Sequence, residues 1–301
     1  MATSSEAPTL SRAGQRHVVG LIGTDILGSL SPVLHEQEAE LLGLAYVYLT
    51  FDLREMRIAA DTVGELVGAA RRLGFSGLNV THPCKQIVIE HLDGLSAEAV
   101  AVNAVNTVVF REGRAEGHNT DWYGFGEALA RFLPGAAIDE VVVLGAGGAG
   151  SAAVYALLRA GAGRVRVVDV DPSRAAALVE ALGSAGLGGV LEAGRLGELP
   201  ALLAGADGLV QATPVGMSSR GGMPVEAALL RRSLWVYDVV YRPFETELLR
   251  AARAVGCRTL NGGPMVVLQA AEAFRLFTGI EPDAERMLAH LCRIEQEEGQ
   301  Q

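Results

Sequence analysis

Lysine is nearly absent from this chain of 301 residues: 24 of its 25 basic residues are arginine, and the single lysine is Lys85. Under a general preference for arginine, exposed lysines are replaced at little cost, so the remaining one is either the last by chance or chemically required. A lysine can release its proton near neutral pH when its surroundings lower its pKa, whereas an arginine stays charged. The scarcity of lysine therefore marks Lys85 as a candidate for proton transfer.

Cysteine, excess basic charge and long apolar runs are also scarce, and each absence excludes a class of protein. Cys84, Cys257 and Cys292 are odd in number, widely spaced and without a CxxC pair, which gives no disulfide or zinc pattern and fits the reduced cytoplasm. A net charge of −10 argues against a basic surface for nucleic acid or anionic lipid. No apolar run reaches the roughly 18 residues that span a bilayer. We therefore expect a cytoplasmic protein with no metal site, no nucleic-acid partner and no membrane association.

The chain does contain two successive series of alternating strand and helix patterns. Residues 1–16 are polar and predict a flexible tail. Residues 17–120 predict one α/β domain, and residues 121–263 predict a second with a parallel sheet covered on both faces. Residues 264–301 contain two helical patterns broken near Gly279, which we expect to pack back onto the first domain and complete it.

Hydrophobic periodicity and turn residues assign the individual elements. In the first half they predict strands at 17–23, 45–53 and 75–80, a hairpin within 104–119 turning at Glu112–Gly113, and helices at 31–44, 54–74 and 84–92. In the second half they predict a strand–turn–helix–strand unit at 140–171 and strands at 206–213, 234–240 and 257–260. Ser31 before Pro32 predicts the capped start of its helix, and Gly74 predicts a helix end.

A glycine-rich turn between a strand and a helix predicts a dinucleotide site. The sequence GAGGAG follows VVVL and precedes an alanine-rich helix, which is the context that the GxGxxG motif requires. Glycines let a pyrophosphate approach the helix N-terminus, where free N–H groups and the helix dipole favour an anion. The predicted cofactor-binding residues of this turn are Gly145, Ala146, Gly147, Gly148, Ala149 and Gly150.

Acidic residues after the next strand indicate which dinucleotide binds. Asp169 lies 24 residues beyond Gly145, where a carboxylate can accept hydrogen bonds from the adenosine ribose and would repel a 2′-phosphate. Asp171 is the second candidate for this role, and both aspartates have a plainer interpretation as solvated charges at a strand end. Arg174 nearby would oppose the preference if it paired with a phosphate. On balance the pattern favours NAD over NADP.

Polar side chains gather at the predicted strand ends of the first domain. They are Ser29, Ser31, Asn79, Thr81, Lys85, Asn106, Asn119, Thr120 and Asp121. Taken singly, Ser31 is interpretable as a helix cap, Asn106 as a turn residue and Asp121 as an N-cap. Taken together, their hydroxyls, amides, amine and carboxylate suit a polyhydroxylated small molecule. Beside a dinucleotide domain, they predict a cleft in which a sugar-like alcohol meets nicotinamide.

From about residue 17 to 290 the chain resembles the shikimate dehydrogenase family, including the quinate/shikimate dehydrogenases. The matching segments are GSLSPVLH (28–35), GLNVTHPCK (77–85), AVNTVVF (104–110), GHNTDWYGF (117–125), GAGGAG (145–150), ATPVGM (212–217), DVVYRPFETELL (238–249) and MVVLQAAEAF (265–274). The resemblance implies an N-terminal α/β substrate-binding domain and a Rossmann-type, doubly wound dinucleotide-binding domain. It also implies reversible NAD(P)-dependent oxidation of a ring hydroxyl of shikimate or quinate to a ketone, by a monomer or homodimer.

The same resemblance implies roles for individual residues. Lys85 and Asp121 match the paired catalytic residues, and the hydroxyl proton passes to Lys85 or through the pair. The implied substrate contacts are Ser29, Ser31 and Tyr241 around the carboxylate, and Asn79, Thr81, Asn106, Asp121 and Gln269 around the ring hydroxyls. The implied cofactor contacts outside the glycine-rich turn are Asp169, Val170, Arg174, Thr213, Pro214, Val239 and Gly262.

Departures from the family pattern leave the substrate branch open. Members that use NADP carry Asn-Arg-Thr where this chain has Asp169-Val170-Asp171, which favours NAD and the quinate/shikimate branch. Quinate users often have threonine at the position of Ser31, which favours shikimate. Gln211 replaces a usual asparagine, and His82 and Cys84 replace a usual apolar residue and phenylalanine. The alternatives are a shikimate dehydrogenase, a quinate/shikimate or aminoshikimate dehydrogenase and, remotely, a non-catalytic metabolite sensor, which predicts loss of the Lys/Asp pair or a fused regulatory segment.

Overall fold

Two six-stranded sheets organise the protein in the computed structural model, which describes residues 16–218 and 220–298. The predicted tail at 1–16 lies outside the described residues except for Arg16, where the first strand begins. Within the described residues, no helix is long and apolar enough to cross a bilayer.

The first half of the chain builds a mixed sheet with the strand order β2-β1-β3-β5-β6-β4. Its elements are β1 (Arg16–Gly23), α1 (Ser31–Leu41), β2 (Ala45–Asp52), α2 (Leu53–Met56), α3 (Val63–Arg72), β3 (Gly77–Val80), α4 (Cys84–Ile87), β4 (Gly94–Leu95), α5 (Ala97–Val102), β5 (Thr107–Arg111) and β6 (Arg114–His118). β1 pairs in parallel with β2 and β3, whereas β5 is antiparallel to β3 and β6. The loops that follow β1 and β3 therefore meet at one edge of the sheet.

Most of the predicted elements of this half are present, including the hairpin, whose turn residues Glu112 and Gly113 both have positive φ. The single helix predicted at 54–74 is wrong. Asp52 accepts hydrogen bonds from two backbone N–H groups and caps one short turn, which ends where Arg57 adopts a left-handed φ of 55°. A 3₁₀ turn at Ala60–Thr62 then leads into α3. The capping of α1 by Ser31 is also wrong, because Leu30 is the N-cap and Ser31 is the first helical residue.

The second half builds a fully parallel sheet with the strand order β12-β11-β10-β7-β8-β9. Its elements are α6 (Asp121–Phe132), β7 (Glu140–Leu144), α7 (Gly148–Arg159), β8 (Arg164–Val168), α8 (Pro172–Gly183), β9 (Val190–Gly194), α9 (Leu199–Gly205), β10 (Gly208–Gln211), β11 (Trp235–Asp238), α10 (Glu247–Val255), β12 (Arg258–Leu260), α11 (Gly263–Thr278) and α12 (Ala284–Glu298). The order of the strands reverses between β7 and β10. In open parallel sheets, ligands bind at such a reversal, outside the carboxyl ends of the strands.

The two last helices pack back onto the first half of the chain, as predicted, α11 against the first sheet and α12 against α1. Ala273 and Phe277 of α11 are buried with Val19 and Leu21 of β1. On α1, the carboxylate of Glu38 is almost fully buried and accepts hydrogen bonds of 2.6 and 3.0 Å from the Arg286 guanidinium of α12. Removing one partner of a buried ion pair leaves an uncompensated charge, so this contact ties α12 to α1. We call the parts of the protein built around the first and the second sheet the first lobe and the second lobe.

Candidate active site

The side chains of Lys85 and Asp121 meet at the edge of the first sheet. Lys85 lies in α4, just after β3, and Asp121 is the first residue of α6, just after β6. Nζ of Lys85 donates a hydrogen bond of 2.6 Å to Oδ2 of Asp121. The two side chains keep only 21% and 10% of their surface exposed, so the pair is a charge-assisted hydrogen bond that a small molecule can reach from one side.

Asn106 holds the other oxygen of the Asp121 carboxylate. Its Nδ2 donates to Asp121 Oδ1 at 2.8 Å and to Thr120 Oγ1 at 3.0 Å, while its Oδ1 accepts from the Thr120 backbone N–H at 2.7 Å. Asp121 is not the N-cap of α6, because Thr120 is at that position. The Asn119 side chain accepts from the Asp121 N–H at 3.1 Å. The carboxylate is thus fixed between an amine and an amide.

A second layer of hydrogen bonds orients Asn79. The Tyr48 hydroxyl on β2 donates to Asn79 Oδ1 at 2.8 Å, and Asn79 Nδ2 donates to Thr107 Oγ1 at 3.1 Å and to the Asn106 carbonyl at 3.3 Å. Burial raises the pKa of Tyr48, which keeps this hydroxyl a donor. Tyr48 and Thr107 were missed in the sequence because, on strands, they have the spacing of ordinary core residues.

The remaining substrate candidates of the first lobe surround this network. Ser29 Oγ donates to Ser31 Oγ at 3.3 Å and accepts from the Ser31 N–H at 3.2 Å, in the loop between β1 and α1. Thr81 follows β3, and its methyl group occupies the space where a side chain on Gly23 would lie. Thr120 Oγ1 donates to Oε1 of Gln269 on α11 at 3.3 Å.

Tyr241 comes to the site from the second lobe, after β11. Burial raises the pKa of its hydroxyl, and the positive charge of Arg242 acts in the opposite direction. The guanidinium Nη1 of Arg242 lies 3.5 Å from the position of a Cβ atom on Gly28, next to the serine pair. The segment that carries Tyr241 therefore reaches the loop in which the carboxylate-binding serines were predicted.

The glycine-rich turn joins β7 to α7 and fits a pyrophosphate. Gly145 has a φ of +98°, and a Cβ atom on Gly150 would collide with the Gly145 carbonyl oxygen. Gly147 is the N-cap of the 12-residue helix α7 and provides no side-chain cap, which leaves the first N–H groups to a ligand. A Cβ atom on Gly148 would lie 3.5 Å from Cδ of Lys85, so the turn faces the catalytic candidate. Ala146 and Ala149 complete the turn.

Asp169 supports the glycine-rich turn directly. Its Oδ2 accepts from the Ala146 N–H at 2.8 Å and its Oδ1 from the Asp171 N–H at 3.0 Å. Since each carboxylate oxygen has two acceptor sites, Asp169 can still accept from a ribose hydroxyl. Asp171 instead caps α8 by accepting from the Ser173 N–H at 2.9 Å, and this bonding to Ser173 lowers its pKa. Asp171 therefore has a structural role.

Val170 and Arg174 flank the predicted adenosine end of the site. Val170 is 81% exposed, which is unusual for an apolar side chain and leaves its position open to a ligand. Nη2 of Arg174 lies 3.5 Å from the position of a Cβ atom on Gly147. The guanidinium of Arg174 is thus placed over the turn.

The other cofactor candidates line the carboxyl ends of β10 and β11. Buried Gln211 donates through Nε2 to the Thr213 carbonyl at 3.1 Å, the Thr213 hydroxyl at 2.8 Å and the Val215 carbonyl at 2.8 Å. The amide of Gln211 thereby shapes the loop containing Thr213 and Pro214. Gly262 packs directly on the carbonyl of Val239, where a Cβ atom would collide.

Asp238, at the end of β11, is a buried acid that sequence reasoning did not single out. Its Oδ2 accepts from the Thr246 hydroxyl at 2.7 Å and its Oδ1 from the Val240 N–H at 3.1 Å. Burial raises the pKa of Asp238 to about 6, against the lowering effect of these hydrogen bonds. Its carboxylate joins the Val239–Tyr241 segment to the start of α10.

Cys84 and His82, the unexplained residues beside Lys85, differ in burial. Cys84 is fully buried, and burial raises the pKa of its thiol, which fits packing better than reactivity. His82 is exposed. Among the described residues, no cluster of three or more histidine, cysteine, aspartate or glutamate side chains could hold a metal ion.

Comparisons with known proteins match most of the chain. A family model described as "Shikimate dehydrogenase substrate binding domain" matches residues 21–108, and one described as "Shikimate 5'-dehydrogenase C-terminal domain" matches residues 264–292. A shikimate dehydrogenase (NADP(+)) of Streptomyces avermitilis is 57% identical over 92% of this chain and 96% of its own. A quinate/shikimate dehydrogenase (NAD(+)) of Corynebacterium efficiens is 48% identical over 90% of this chain and 96% of its own.

Solved structures agree with these matches. The quinate dehydrogenase of Corynebacterium glutamicum in complex with NAD has a TM-score of 0.87 and 44% identity, covering 91% of this chain and 98% of that one. The shikimate 5-dehydrogenase of Listeria monocytogenes in complex with shikimate and NAD has a TM-score of 0.83 and 33% identity, covering 92% and 97%. The relatives thus include users of both dinucleotides.

Proposed function

Because the chain belongs to the shikimate dehydrogenase family, we propose that it interconverts shikimate and 3-dehydroshikimate with Lys85 and Asp121 as its acid–base pair and NAD as its preferred dinucleotide. The enzyme is an NAD(P)-dependent oxidoreductase acting on a CH–OH group. The observation that carries the proposal is the position of the Lys85–Asp121 pair, which faces Gly148 of the dinucleotide turn.

In this proposal the first lobe binds and orients the substrate. Ser29, Ser31 and Tyr241 hold the carboxylate, and the ring hydroxyls lie against Asn79, Thr81, Asn106, Asp121 and Gln269. The amides offer both donors and acceptors to hydroxyl groups, which suits a polyol. The bound dinucleotide supplies the nicotinamide that accepts hydride from the oxidised carbon or returns it.

We assign the proton to Lys85. During oxidation its neutral amine takes the proton of the reacting hydroxyl, and during reduction its ammonium gives the proton back. Both oxygens of Asp121 already accept hydrogen bonds, one from Lys85 and one from Asn106. Asp121 therefore orients the amine and stabilises its charged form, while Asn106 prevents the carboxylate from rotating.

The preference for NAD is supported by the chain's own residues at the adenosine end. A buried carboxylate at Asp169 retains acceptor sites for ribose hydroxyls and would repel a 2′-phosphate. The next residue, Val170, is exposed and carries no charge to pair with a phosphate. Arg174 lies close enough to the turn to contribute to phosphate binding, so it acts in the opposite direction.

Quinate oxidation is the second candidate function, favoured by the NAD-type residues Asp169 and Val170 and by the likeness to a quinate dehydrogenase bound to NAD. Ser31 argues for shikimate, since quinate users often carry threonine there. An aminoshikimate would fit the same polar lining.

Initial rates with shikimate and quinate, each with NAD and NADP, test these assignments together. We expect the highest kcat/KM with shikimate and NAD. Activity with NADP alone would contradict the interpretation of Asp169 and Val170. A kcat/KM for quinate above that for shikimate would favour the second candidate, and no turnover of either acid would refute the proposed function.

We further propose that residues 17–120, completed by 264–301, act as the substrate-binding domain, and that residues 121–263 act as the dinucleotide-binding domain. The division is supported by the two separate sheets and by the substrate-domain match at 21–108. The proposed enzyme is cytoplasmic and either monomeric or homodimeric. Light scattering after size-exclusion chromatography distinguishes the two states.

A further inference from the structure

Tyr48 is a buried residue whose hydroxyl contacts a residue of the proposed substrate site. Its hydroxyl donates a hydrogen bond of 2.8 Å to Asn79 Oδ1. The tyrosine is 6% exposed, so water cannot readily replace this contact. Loss of the hydroxyl would leave the amide oxygen of Asn79 without this donor.

Tyr46 lies two residues earlier on the same face of β2 and provides the contrast. Its hydroxyl pairs at 2.8 Å with Nδ1 of His35, and its ring stacks on Phe274 with centroids 5.4 Å apart. Its contacts lead into the aromatic core between β2 and α11. Tyr48 is buried and Tyr46 is half-buried, and of the two tyrosines only Tyr48 contacts Asn79.

The hydrogen bonds from Tyr48 continue to the catalytic pair. Asn79 Nδ2 donates to Thr107 Oγ1 at 3.1 Å, and Thr107 Oγ1 donates to Asn106 Oδ1 at 3.0 Å. Asn106 then donates to Asp121 at 2.8 Å, and Asp121 accepts from Lys85 at 2.6 Å. A connected chain of side chains therefore runs from Tyr48 to the amine of Lys85.

We propose that Tyr48 is a positioning residue for the substrate, which fixes the amide of Asn79 relative to the Lys85–Asp121 pair. A terminal amide can rotate by a half-turn at little cost unless its partners specify one orientation. The Tyr48 donor specifies that Oδ1 points toward β2 and that Nδ2 points toward Thr107. This inference rests on the proposed function, because it concerns the same substrate site.

The test compares Tyr48→Phe with the matched control Tyr46→Phe. Each variant removes one hydrogen-bonded tyrosine hydroxyl from β2 and keeps the ring. With NAD at the same concentration as in the wild-type assay, we expect Tyr48→Phe to raise the KM for shikimate by about threefold to tenfold. This is the range for one buried hydrogen bond. The KM for NAD should stay within about twofold, and Tyr46→Phe should leave both constants within about twofold.

A double-mutant cycle with Asn79→Ala separates positioning from general destabilisation. If Tyr48 acts through Asn79, Tyr48→Phe should have little further effect on the shikimate KM once Asn79 is alanine. If the double variant raises the shikimate KM by the product of the two single effects, the inference is overturned. Equal increases in the shikimate KM for Tyr48→Phe and Tyr46→Phe, in variants with the same melting temperature, would overturn it too. If the wild-type protein turns over neither shikimate nor quinate, the proposed function and this inference are both refuted. If the wild type is active and Tyr48→Phe has an unchanged KM for shikimate, the inference alone is refuted.

Discussion

The side chain of Lys85 passes over Gly148, with Cδ of the lysine 3.5 Å from the position of a Cβ atom on the glycine. One residue belongs to the helix after β3 and the other to the start of α7. The amine that holds Asp121 and the turn that fits the pyrophosphate are therefore adjacent. In the proposed mechanism, acid–base and hydride chemistry therefore share one cleft.

Replacement of Lys85 should abolish proton transfer while leaving the cofactor site in place. We expect Lys85→Ala to lower kcat by about 100-fold or more, as for loss of a general acid–base group. Lys85→Arg should be similarly impaired, because arginine keeps the charge beside Asp121 but does not release its proton. Steady-state kinetics at saturating substrate, with NAD affinity measured in parallel, checks both variants. Near-normal turnover of Lys85→Arg would contradict the proton-transfer role.

A positive charge at position 170 should admit NADP. Val170 is 81% exposed beside Asp169, so an arginine there can reach a 2′-phosphate without disturbing the core. We expect Val170→Arg to raise kcat/KM for NADP by about tenfold or more, the scale of one charge-assisted hydrogen bond. Val255→Arg is the control, since Val255 is also an exposed valine but lies on α10. Equal gains in both variants would indicate a general charge effect instead.

Asp238 should make the fold more stable toward mildly acidic pH. Its pKa of about 6 in the folded state exceeds the ordinary value of 3.8 because of burial. Below pH 3.8 the acid is protonated in both states. Between pH 3.8 and 6 the unfolded chain has lost this proton while the folded state keeps it, so stability falls as pH rises across this interval, and above pH 6 both states are ionised. Between pH 4 and 7 the free energy of unfolding of the wild type should therefore fall further than that of Asp238→Asn. The expected difference between the two falls is on the order of 3 kcal/mol. Urea denaturation across this range checks the difference, and parallel curves would contradict it.

His35 should have the opposite effect on stability. Burial lowers its pKa from 6.5 to about 3, so the folded state holds the ring neutral. As pH falls below 6.5, the unfolded chain binds a proton that the folded state does not, and the stabilisation is lost progressively toward pH 3. Between pH 6.5 and 4.5, the wild type should lose about 2 kcal/mol that His35→Phe retains. Denaturation midpoints at the two pH values measure this difference. It would be refuted if His35→Phe lost as much unfolding free energy as the wild type between the two pH values.

Sequence patterns correctly predicted those parts of the fold that depend on interactions between residues close in sequence. The glycine-rich turn, the strands around it and the hairpin at Glu112–Gly113 each depend on residues close in sequence. The helix at 54–74 failed because its apolar spacing continues across a break set by the Asp52 cap and the left-handed Arg57. β9 and α5 were missed, since β9 is mostly exposed and α5 is only six residues long.

The sequence named members of the candidate site but not the hydrogen bonds that connect them. Lys85, Asp121, Asn79 and Asn106 could be named from motifs and the family resemblance, whereas their shared hydrogen bonds depend on strand pairing. Asp169 was expected at the ribose, and its support of the Ala146 N–H follows only from the approach of β8 to β7. Tyr48 lies on a strand that contains no motif, so its contact with Asn79 emerged from the tertiary structure alone.

The burial of Phe277 against β1 also has a consequence for the order of folding during synthesis. The first strand leaves the ribosome long before α11, and the whole parallel sheet is translated between them. At ordinary elongation rates that interval is some tens of seconds, on the order of 10 to 50 seconds. Until α11 is made, Val19 and Leu21 lack the cover that Ala273 and Phe277 give them in the folded protein, and apolar surface left uncovered during synthesis favours aggregation.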